Sequence, residues 1–339
     1  MQSIPSFRAT HLLPYAQFLR RVGTPVDRLL SRARLPTMFE EHLDAYLPLQ
    51  PALRFLAMAG HLEGIDELGL ATTKDVRITD LNPVFVVAAK ASPTLNLALE
   101  HYCRMGSLEN TNVRFWLVYG PAQIRLCASL KAGGEATGLR CAEWSQNMTL
   151  AAVVRAFAGQ DWYPTEMAFT SFLPVSLAAR EQFPNTRFIL GQKASWITLP
   201  RSMLSLAPLM HGVWSPGSDQ PLSKCQPDQA VDFAGSLKSI LRPYLPDGYP
   251  KVELAAEIAG LSVRTLQRRL AQQGLSYSAL VKHLRYEAAS QLLKNSDIRM
   301  IDAANELGWG SPSTFTRAFS DIAGISPSEY RARTKRVTH

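Results

Sequence analysis

The sequence predicts two domains: a mixed α+β domain, followed by an all-α domain that contains two helix-turn-helix motifs joined by a linker helix. The chain has 339 residues, a length typical of about two domains. Residues 250–339 contain two helix-turn-helix patterns in succession, whereas residues 1–207 mix helical and strand patterns. Prolines at positions 208, 216, 221 and 227 mark a linker. We therefore place the first domain at residues 1–207, the linker at 208–229 and the second domain at 230–336.

The first domain is predicted to combine helices with a small set of strands. Two strand-like stretches flank Gly120 and Pro121, an arrangement typical of a hairpin. A long helix is expected after the turn at Gly133 and Gly134. The predicted helices cover residues 12–20, 25–32, 51–62, 94–105 and 138–157, and the predicted strands cover 112–119, 123–130, 166–172, 187–190 and 195–199.

The first helix-turn-helix pattern covers residues 253–270. In its second helix, Val263, Leu266 and Leu270 recur at i, i+3 and i+7, so they share one face and are expected in the core. Ser262 precedes this helix and is a favourable N-cap. The opposite face, which can reach a partner, carries Arg264, Gln267 and Arg268.

The second helix-turn-helix pattern covers residues 301–319 and repeats this design. Ser311 supplies the capping hydroxyl, and Pro312 follows at the first helical position, where its missing N–H costs nothing. The side chains predicted to be buried are Phe315, Ala318, Phe319 and Ile322, and those predicted to face outward are Ser313, Thr314 and Arg317.

A single amphipathic helix is predicted between the two motifs, over residues 277–294. At 1.5 Å per residue it would be roughly 27 Å long, which suits two reading helices set one DNA turn, about 34 Å, apart. Its inward side chains are expected to be Tyr277, Leu280, Val281, Leu284, Ala288 and Leu292.

The exposed arginine and glutamine side chains suit the reading of DNA bases. Arginine can donate to both major-groove acceptors of guanine, and glutamine can pair with adenine. The N-termini of the two second helices can also donate backbone amides to phosphates. For a single motif, a plainly solvated face is about as common as a DNA contact. Two motifs in tandem, with glycine, serine and arginine at matching positions, favour DNA binding.

The C-terminal segment resembles the DNA-binding domain of AraC/XylS-type bacterial transcription regulators. The resemblance is strongest over residues 304–319 and continues through 324–331. It implies that Arg264, Gln267, Arg268, Ser313 and Arg317 contact bases, and that Ser262, Thr265, Ser311, Thr314 and Thr316 contact the DNA backbone. Two positions depart from the usual pattern: Ser320, where the family commonly has a basic residue, and Leu270, where an aromatic residue is commoner.

The N-terminal domain resembles, less specifically, the effector-binding domain of one branch of this family, which includes regulators of amino-acid and amine catabolism. The matching residues are 93–103, the hairpin after them, and Trp162-Tyr-Pro164 before a strand. Pro184 stands where that branch usually has glycine. The resemblance implies control by a small molecule. Aromatic and amide side chains on the hairpin and long helix suit such a pocket, although a plain core role is commoner for each: Trp116, Tyr119, Trp144 and Asn147.

Charge and cysteine usage agree with this interpretation. From Tyr249 onward there are 13 Lys/Arg against 8 Asp/Glu, a surplus of +5 out of +8 for the whole chain. No run approaches the roughly 18 apolar residues of a membrane span, and the N-terminus lacks an export signal pattern. The four cysteines and seven histidines show no metal or redox spacing, so we predict no metal, no cofactor and a cytoplasmic protein.

The sequence thus favours a sequence-specific transcription regulator, more an activator than a repressor, controlled by a small molecule. The expected partners are double-stranded promoter DNA, the effector, RNA polymerase and a second copy of the chain. An architectural DNA binder without a ligand is the alternative. A DNA-repair methyl transferase with Cys141 as nucleophile is disfavoured, because no histidine neighbours that cysteine, and we predict no enzyme activity.

Overall fold

The structure is a computed structural model that describes residues 4–209, apart from 64 and 66, together with residues 232–295 and 298–337. The described residues form two compact units. The sheet unit comprises residues 5–33 and 49–209, and the helical unit comprises Ile4, residues 34–48 and residues 232–337. The predicted linker lies outside the described residues, except for Pro208 and Leu209.

Residues 34–48 belong to the helical unit, although the sequence groups them with the first domain. Hydrogen bonds over long sequence separations hold them there. The hydroxyl of Tyr244 donates to the carbonyl of Arg34 at 2.7 Å, and that of Thr37 donates to the carboxylate of Asp247 at 2.6 Å. The partners are 210 positions apart, a separation that no local pattern reveals.

The described strands are short, and the longest helix of the sheet unit is α7. The strands are β1 (Ser6–Arg8), β2 (Tyr46–Pro48), β3 (Val113–Tyr119), β4 (Gln123–Leu130), β5 (Glu166–Ala168), β6 (Arg187–Ile189) and β7 (Ser195–Pro200). The helices are α1 (Leu13–Arg21), α2 (Val26–Ala33), α3 (Leu49–Glu63), α4 (Leu68–Thr73), α5 (Pro83–Ala91), α6 (Leu95–Met105), α7 (Ala136–Ala158) and α8 (Leu177–Gln182).

Five of these strands form a sheet in the order β3-β4-β7-β5-β6. All its neighbours are antiparallel except β5 and β6, which run parallel. Trp144 and Met148 of α7 share one hydrophobic cluster with Leu126 of β4 and Ile197 of β7. Burial of these side chains, worth roughly 1.5–3 kcal/mol each, fixes α7 against the sheet.

The helical unit has one continuous hydrophobic core. Its helices are α9 (Phe233–Leu241), α10 (Val252–Ile258), α11 (Val263–Ala271), α12 (Tyr277–Asn295), α13 (Met300–Glu306), α14 (Pro312–Ala323) and α15 (Pro327–Val337). Leu266 of α11, Leu284 of α12 and Phe315 of α14 belong to the same cluster. The two helix-turn-helix motifs are α10–α11 and α13–α14, and α12 joins them.

The predicted fold class is confirmed, with local differences. The sequence predicts a strand over residues 166–172, but β5 ends at Ala168, because the amides of Thr170 and Ser171 donate to the carboxylate of Glu143 at 2.6 and 3.4 Å. Helix α5 was not predicted. In α12, Leu293 is fully buried, whereas Leu292 is only partly so. No helix in the described ranges is long and apolar enough to cross a membrane.

Candidate DNA interface and ligand cavity

Helix α11, the second helix of the first motif, presents a polar face to solvent. Ser262 caps it, because its Oγ accepts the amide of Thr265 at 3.2 Å. Leu266 and Leu270 are fully buried, as predicted, but Val263 is only partly buried. The exposed face carries Arg264, Gln267 and Arg268. Within the described residues, these three side chains make no hydrogen bond or ion pair.

Arg269, the next arginine along α11, contacts a neighbouring helix of the same unit. Arg269 is half-buried, and its guanidinium carbon lies 5.3 Å from the ring centroid of Phe233 in α9. This cation–π contact holds α11 against α9. Arg268 and Arg269 are therefore adjacent in sequence, but only Arg268 is available to a partner.

Helix α14, the second helix of the second motif, repeats this arrangement. The Oγ of Ser311 accepts the amide of Thr314 at 3.2 Å, and Pro312 occupies the first turn. Phe315 and Phe319 are buried, but Ala318 and Ile322, predicted to complete the buried stripe, are only partly buried. The exposed side chains are Ser313, Thr314 and Arg317, and Thr316 is half-buried.

Arg285 of α12 fixes the second motif in place. It is only 6% exposed, and its Nη2 donates to the carbonyl of Gly308, in the turn before α14, at 2.6 Å. Its guanidinium carbon lies 4.1 Å from the ring centroid of Trp309 and 5.3 Å from that of Tyr249. Burial lowers the pKa of this group, so its charge is retained at a desolvation cost. The rings and the carbonyl offset that cost.

The turn of the second motif also packs closely on the chain before the first motif. Gly308 has a φ of +66°, and a Cβ added there would lie 2.0 Å from the carbonyl oxygen of Leu245. Gly260, in the turn of the first motif, has a similar φ of +64° but nothing within 4 Å of its Cβ position. The two turn glycines therefore share a backbone conformation, but only Gly308 lies so close to other backbone atoms that a Cβ would clash with them.

The four residues predicted for an effector site do not converge. Trp144 is fully buried and its Nε1 donates to Glu67, while Asn147 Nδ2 donates to the carbonyl of Ala168 at 3.2 Å. Trp116 packs against the small cluster of Cys127, Ala168 and Trp196. Tyr119 is 49% exposed and donates to Asn96 at 3.0 Å. Asn147 and Trp116 thus share Ala168 as a neighbour, whereas Trp144 and Tyr119 bond to different partners.

A cavity of about 90 Å³ lies elsewhere in the sheet unit. One face of α7 lines it with Ala142, Ser145, Gln146 and Thr149. Its other walls are largely apolar and come from the N-terminal segment, α3, α6, β3 and β4, and they also include the polar side chains of His11, Tyr15, Glu109 and Asn110. Trp116, Tyr119, Trp144 and Asn147 are not among its lining residues.

Comparison with known protein families accounts for both units. The family described as the arabinose-binding domain of AraC transcription regulators matches residues 23–207, more than half of the chain. A helix-turn-helix domain family matches residues 255–333, which include both motifs. This chain belongs to the AraC family of transcription regulators.

Individual AraC-family relatives match over different lengths. The HTH-type transcriptional regulator VirS of Mycobacterium tuberculosis is 25% identical over 96% of both chains. The HTH-type transcriptional regulator VqsM of Pseudomonas aeruginosa is 36% identical over 26% of this chain and 27% of its own length. The ornithine utilization regulator of the same species is 34% identical over 25% of each chain. The last two matches therefore span about a quarter of those relatives.

Among the described residues of this AraC-family chain, no group of three or more metal-ligating side chains comes together. Cys141, the only candidate nucleophile from the sequence, is buried in α7, and burial raises the pKa of its thiol to about 12. A protonated thiol is a poor nucleophile at neutral pH. This geometry opposes the methyl transferase alternative, and the matched relatives are transcriptional regulators by name.

Sequence reasoning missed three residues of these sites. Arg285 gave one weak signal, an arginine directly after Leu284 on the inward side of α12. His11 and Glu109 gave none, because they are 98 positions apart and meet only in the folded chain.

Proposed function

We propose that this AraC-family transcription regulator is a homodimeric activator that reads promoter DNA with α11 and α14 and responds to a small molecule bound in the sheet unit. The observation that carries the proposal is the pair of capped helices with exposed arginines, built on one core. The exposed arginines Arg264, Arg268 and Arg317 make no hydrogen bond or ion pair within the described residues, so base contacts by these side chains would break no such bond within the protein.

The spacing of the helices supports simultaneous contact with two adjacent stretches of major groove. Helix α12 has 19 residues, so it is about 28 Å long, close to the ~34 Å of one DNA turn. Arg285 and the shared cluster limit rotation of one motif against the other. The pair would therefore dock as a unit, and DNA that cannot follow its spacing would be bent or rejected.

Each predicted contact has a chemical reason. Arg264, Arg268 and Arg317 would donate to guanine, Gln267 would pair with adenine, and Ser313 would reach a base edge. The proposed backbone contacts combine hydroxyls with the free amides of the first helical turns, where phosphate is favoured. They are Ser262, Thr265, Ser311, Thr314 and Thr316.

Control by an effector rests on the family of the sheet unit and on its cavity. A ligand would act only through different affinities for two states of the protein, such as dimers with correctly and incorrectly spaced DNA modules. Activation is supported by the name of another relative, the transcriptional activator NphR of a Rhodococcus species, which is 32% identical over 82 residues. Activation also implies contact with RNA polymerase.

Selection of bound fragments from sheared genomic DNA tests the proposal. The purified chain should enrich a few promoter fragments, and Arg268→Ala and Arg317→Ala should each weaken binding to them by about 1–3 kcal/mol, or roughly 5- to 150-fold. Arg333→Ala is the control, because it removes one exposed positive charge from α15 of the same unit, where Arg333 pairs with Glu329 at 2.6 Å.

The outcomes separate the alternatives. Uniform, salt-sensitive retention of all fragments would indicate backbone binding alone and would favour an architectural protein. Equal losses for Arg333→Ala and Arg268→Ala would refute base reading. At least one compound in a panel of metabolites should raise the melting temperature of the chain. If no compound shifts it, the proposal of effector control is refuted. A reporter gene downstream of an enriched promoter gives the sign of control.

A further inference from the structure

The cavity of the sheet unit contains one buried oxygen without a partner. Glu109 lines the cavity and is only 4% exposed. Its Oε2 bonds to Nε2 of His11, but its Oε1 is buried and has no hydrogen-bond partner within the described part of the chain. A buried carboxylate oxygen left unpaired costs about 1–3 kcal/mol or more, so its place beside an open volume needs an explanation.

The rest of the lining defines what could supply that partner. Leu53 and Leu56 of α3, Val113 and Phe115 of β3 and other apolar side chains form most of the wall. The lining residues include no lysine or arginine, so His11 is the one basic side chain in the lining. The hydroxyl of Tyr15 is already used, because it donates to the carbonyl of Cys141 at 3.0 Å.

We infer that the cavity binds a compact alkyl ammonium compound, with the ammonium donating to Oε1 of Glu109 and the alkyl part against the apolar wall. The inference rests on the proposed effector control and names the chemical class of the effector. Both an ammonium and a hydroxyl would make a charge-assisted hydrogen bond to a carboxylate, but only the ammonium carries the opposite charge, which adds a direct Coulomb attraction in these desolvated surroundings. The bond of Oε2 to His11 leaves Oε1 as the acceptor that a ligand would use.

The volume limits the size of the ligand. The cavity holds about 90 Å³, against the roughly 150 Å³ of an engineered apolar cavity that takes up benzene. A chain of four or five heavy atoms therefore fits without movement of the walls. Half-buried Gln146 and Ser145 on α7 lie along the same cavity, so longer amines with a polar far end would meet hydrogen-bonding groups there.

Three probes of equal length test the inference: n-butylammonium, n-butanol and butyrate. Binding to the full chain is measured by calorimetry at pH 7 without DNA. We expect n-butylammonium to bind at least about tenfold more tightly than n-butanol, and butyrate to bind more weakly than either. Equal affinities for the amine and the alcohol, or no saturable binding of the amine, would overturn the inference.

Two variants locate the site. Glu109→Gln should reduce the amine affinity at least about tenfold and leave that for butanol unchanged, whereas Glu181→Gln, an exposed carboxylate on α8, should change neither. Ala142→Leu fills the cavity from α7 and should remove binding of both probes. If the Glu109→Gln variant does not fold, the Ala142→Leu variant provides the test. Unchanged amine binding by Ala142→Leu would show that the amine does not bind in this cavity.

Promoter binding separates this inference from the proposed function. Amine binding that leaves promoter occupancy unchanged would support the site and remove the effector role. If promoter occupancy instead responds to another metabolite and no amine binds, effector control would be supported and the amine site would be refuted.

Discussion

Replacement of Gly308 by alanine tests whether the second motif is held by its close contact with the chain before the first. Two costs add at this position. A φ of +66° is left-handed, which costs a residue with a Cβ about 1–2 kcal/mol. The new Cβ would also lie 2.0 Å from the oxygen of Leu245 and 2.8 Å from Cα of Gly248. Both are backbone atoms, so the chain itself must move, at a further ~1–3 kcal/mol.

Gly260→Ala is the matched control, because it repeats the first cost without the second. Its φ is +64° and no atom lies within 4 Å of the Cβ position. We expect Gly260→Ala to lower the free energy of opening of the helical unit by about 1–2 kcal/mol, and Gly308→Ala to lower it by about 2–5 kcal/mol.

Amide hydrogen exchange in the full chain measures both losses, because it reports the opening free energy of each helix separately. Reduced protection should be centred on α13 and α14 in Gly308→Ala and on α10 and α11 in Gly260→Ala. Equal losses in the two variants would refute the reasoning, because they would show that the contact with Leu245 contributes nothing.

Three further changes test other parts of the structure. Arg285→Lys should destabilise α13 and α14 relative to α10 in the same exchange experiment, because an ammonium cannot both stack on Trp309 and reach Gly308 in the same way; unchanged protection would contradict this. Ser311→Ala should cost about 0.5–2 kcal/mol of α14 stability and Ser311→Thr much less, and equal effects would exclude capping. In a chain whose other cysteines are replaced by serine, Cys141 should resist a thiol reagent at pH 8 until the protein unfolds, because burial raises its pKa to about 12 from the usual ~8.5; rapid labelling would show an exposed thiolate.

The helix-turn-helix motifs were predictable because their signals are local. A serine cap, a turn glycine and apolar residues at i, i+3 and i+7 all fall within 18 residues of sequence in the first motif. The cap bonds of Ser262 and Ser311 occur as the sequence indicates. The predictions that were wrong in these helices concern the extent of burial. Val263 and Ile322 were predicted to be buried but are only partly buried, because burial also depends on which neighbouring helix covers each side chain.

Helix α5 begins with a local signal that the sequence contains. Asn82 accepts the amide of Val84 at 3.0 Å and Pro83 occupies the first turn, which is a regular helix start. The run from Pro83 to Ala91 is strongly apolar but far shorter than the roughly 18 residues of a membrane span. Its length of 9 residues and its core position make it a buried helix.

The cavity that we propose as the effector site could not be predicted from sequence, because its lining residues are distant along the chain. Glu67, which is not among those lining residues, shows a related difficulty for Trp144. Its carboxylate accepts Nε1 of Trp144 and the amide of Ser176, the latter at 3.2 Å, and lies 3.8 Å from Nε of Arg140. Trp144 therefore carries a polar tip, as a pocket residue would, but that tip is already satisfied within the protein. An aromatic side chain with a polar end predicts a partner, and sequence alone does not say whether the partner is a ligand.

A buried oxygen without a hydrogen-bond partner can mark a ligand site or can simply lower stability. The two cases differ in whether there is open space beside the oxygen. Asn147 Oδ1 and Glu109 Oε1 are both buried without a hydrogen-bond partner in the described structure. Asn147 is fully buried and its amide nitrogen is tied to Ala168, so its oxygen has no room for an added molecule. Glu109 lines a cavity of about 90 Å³. An unpaired oxygen in packed surroundings only lowers stability. The same atom beside an open volume favours any ligand that brings a donor, and for that reason we propose the ligand site at Glu109 and not at Asn147.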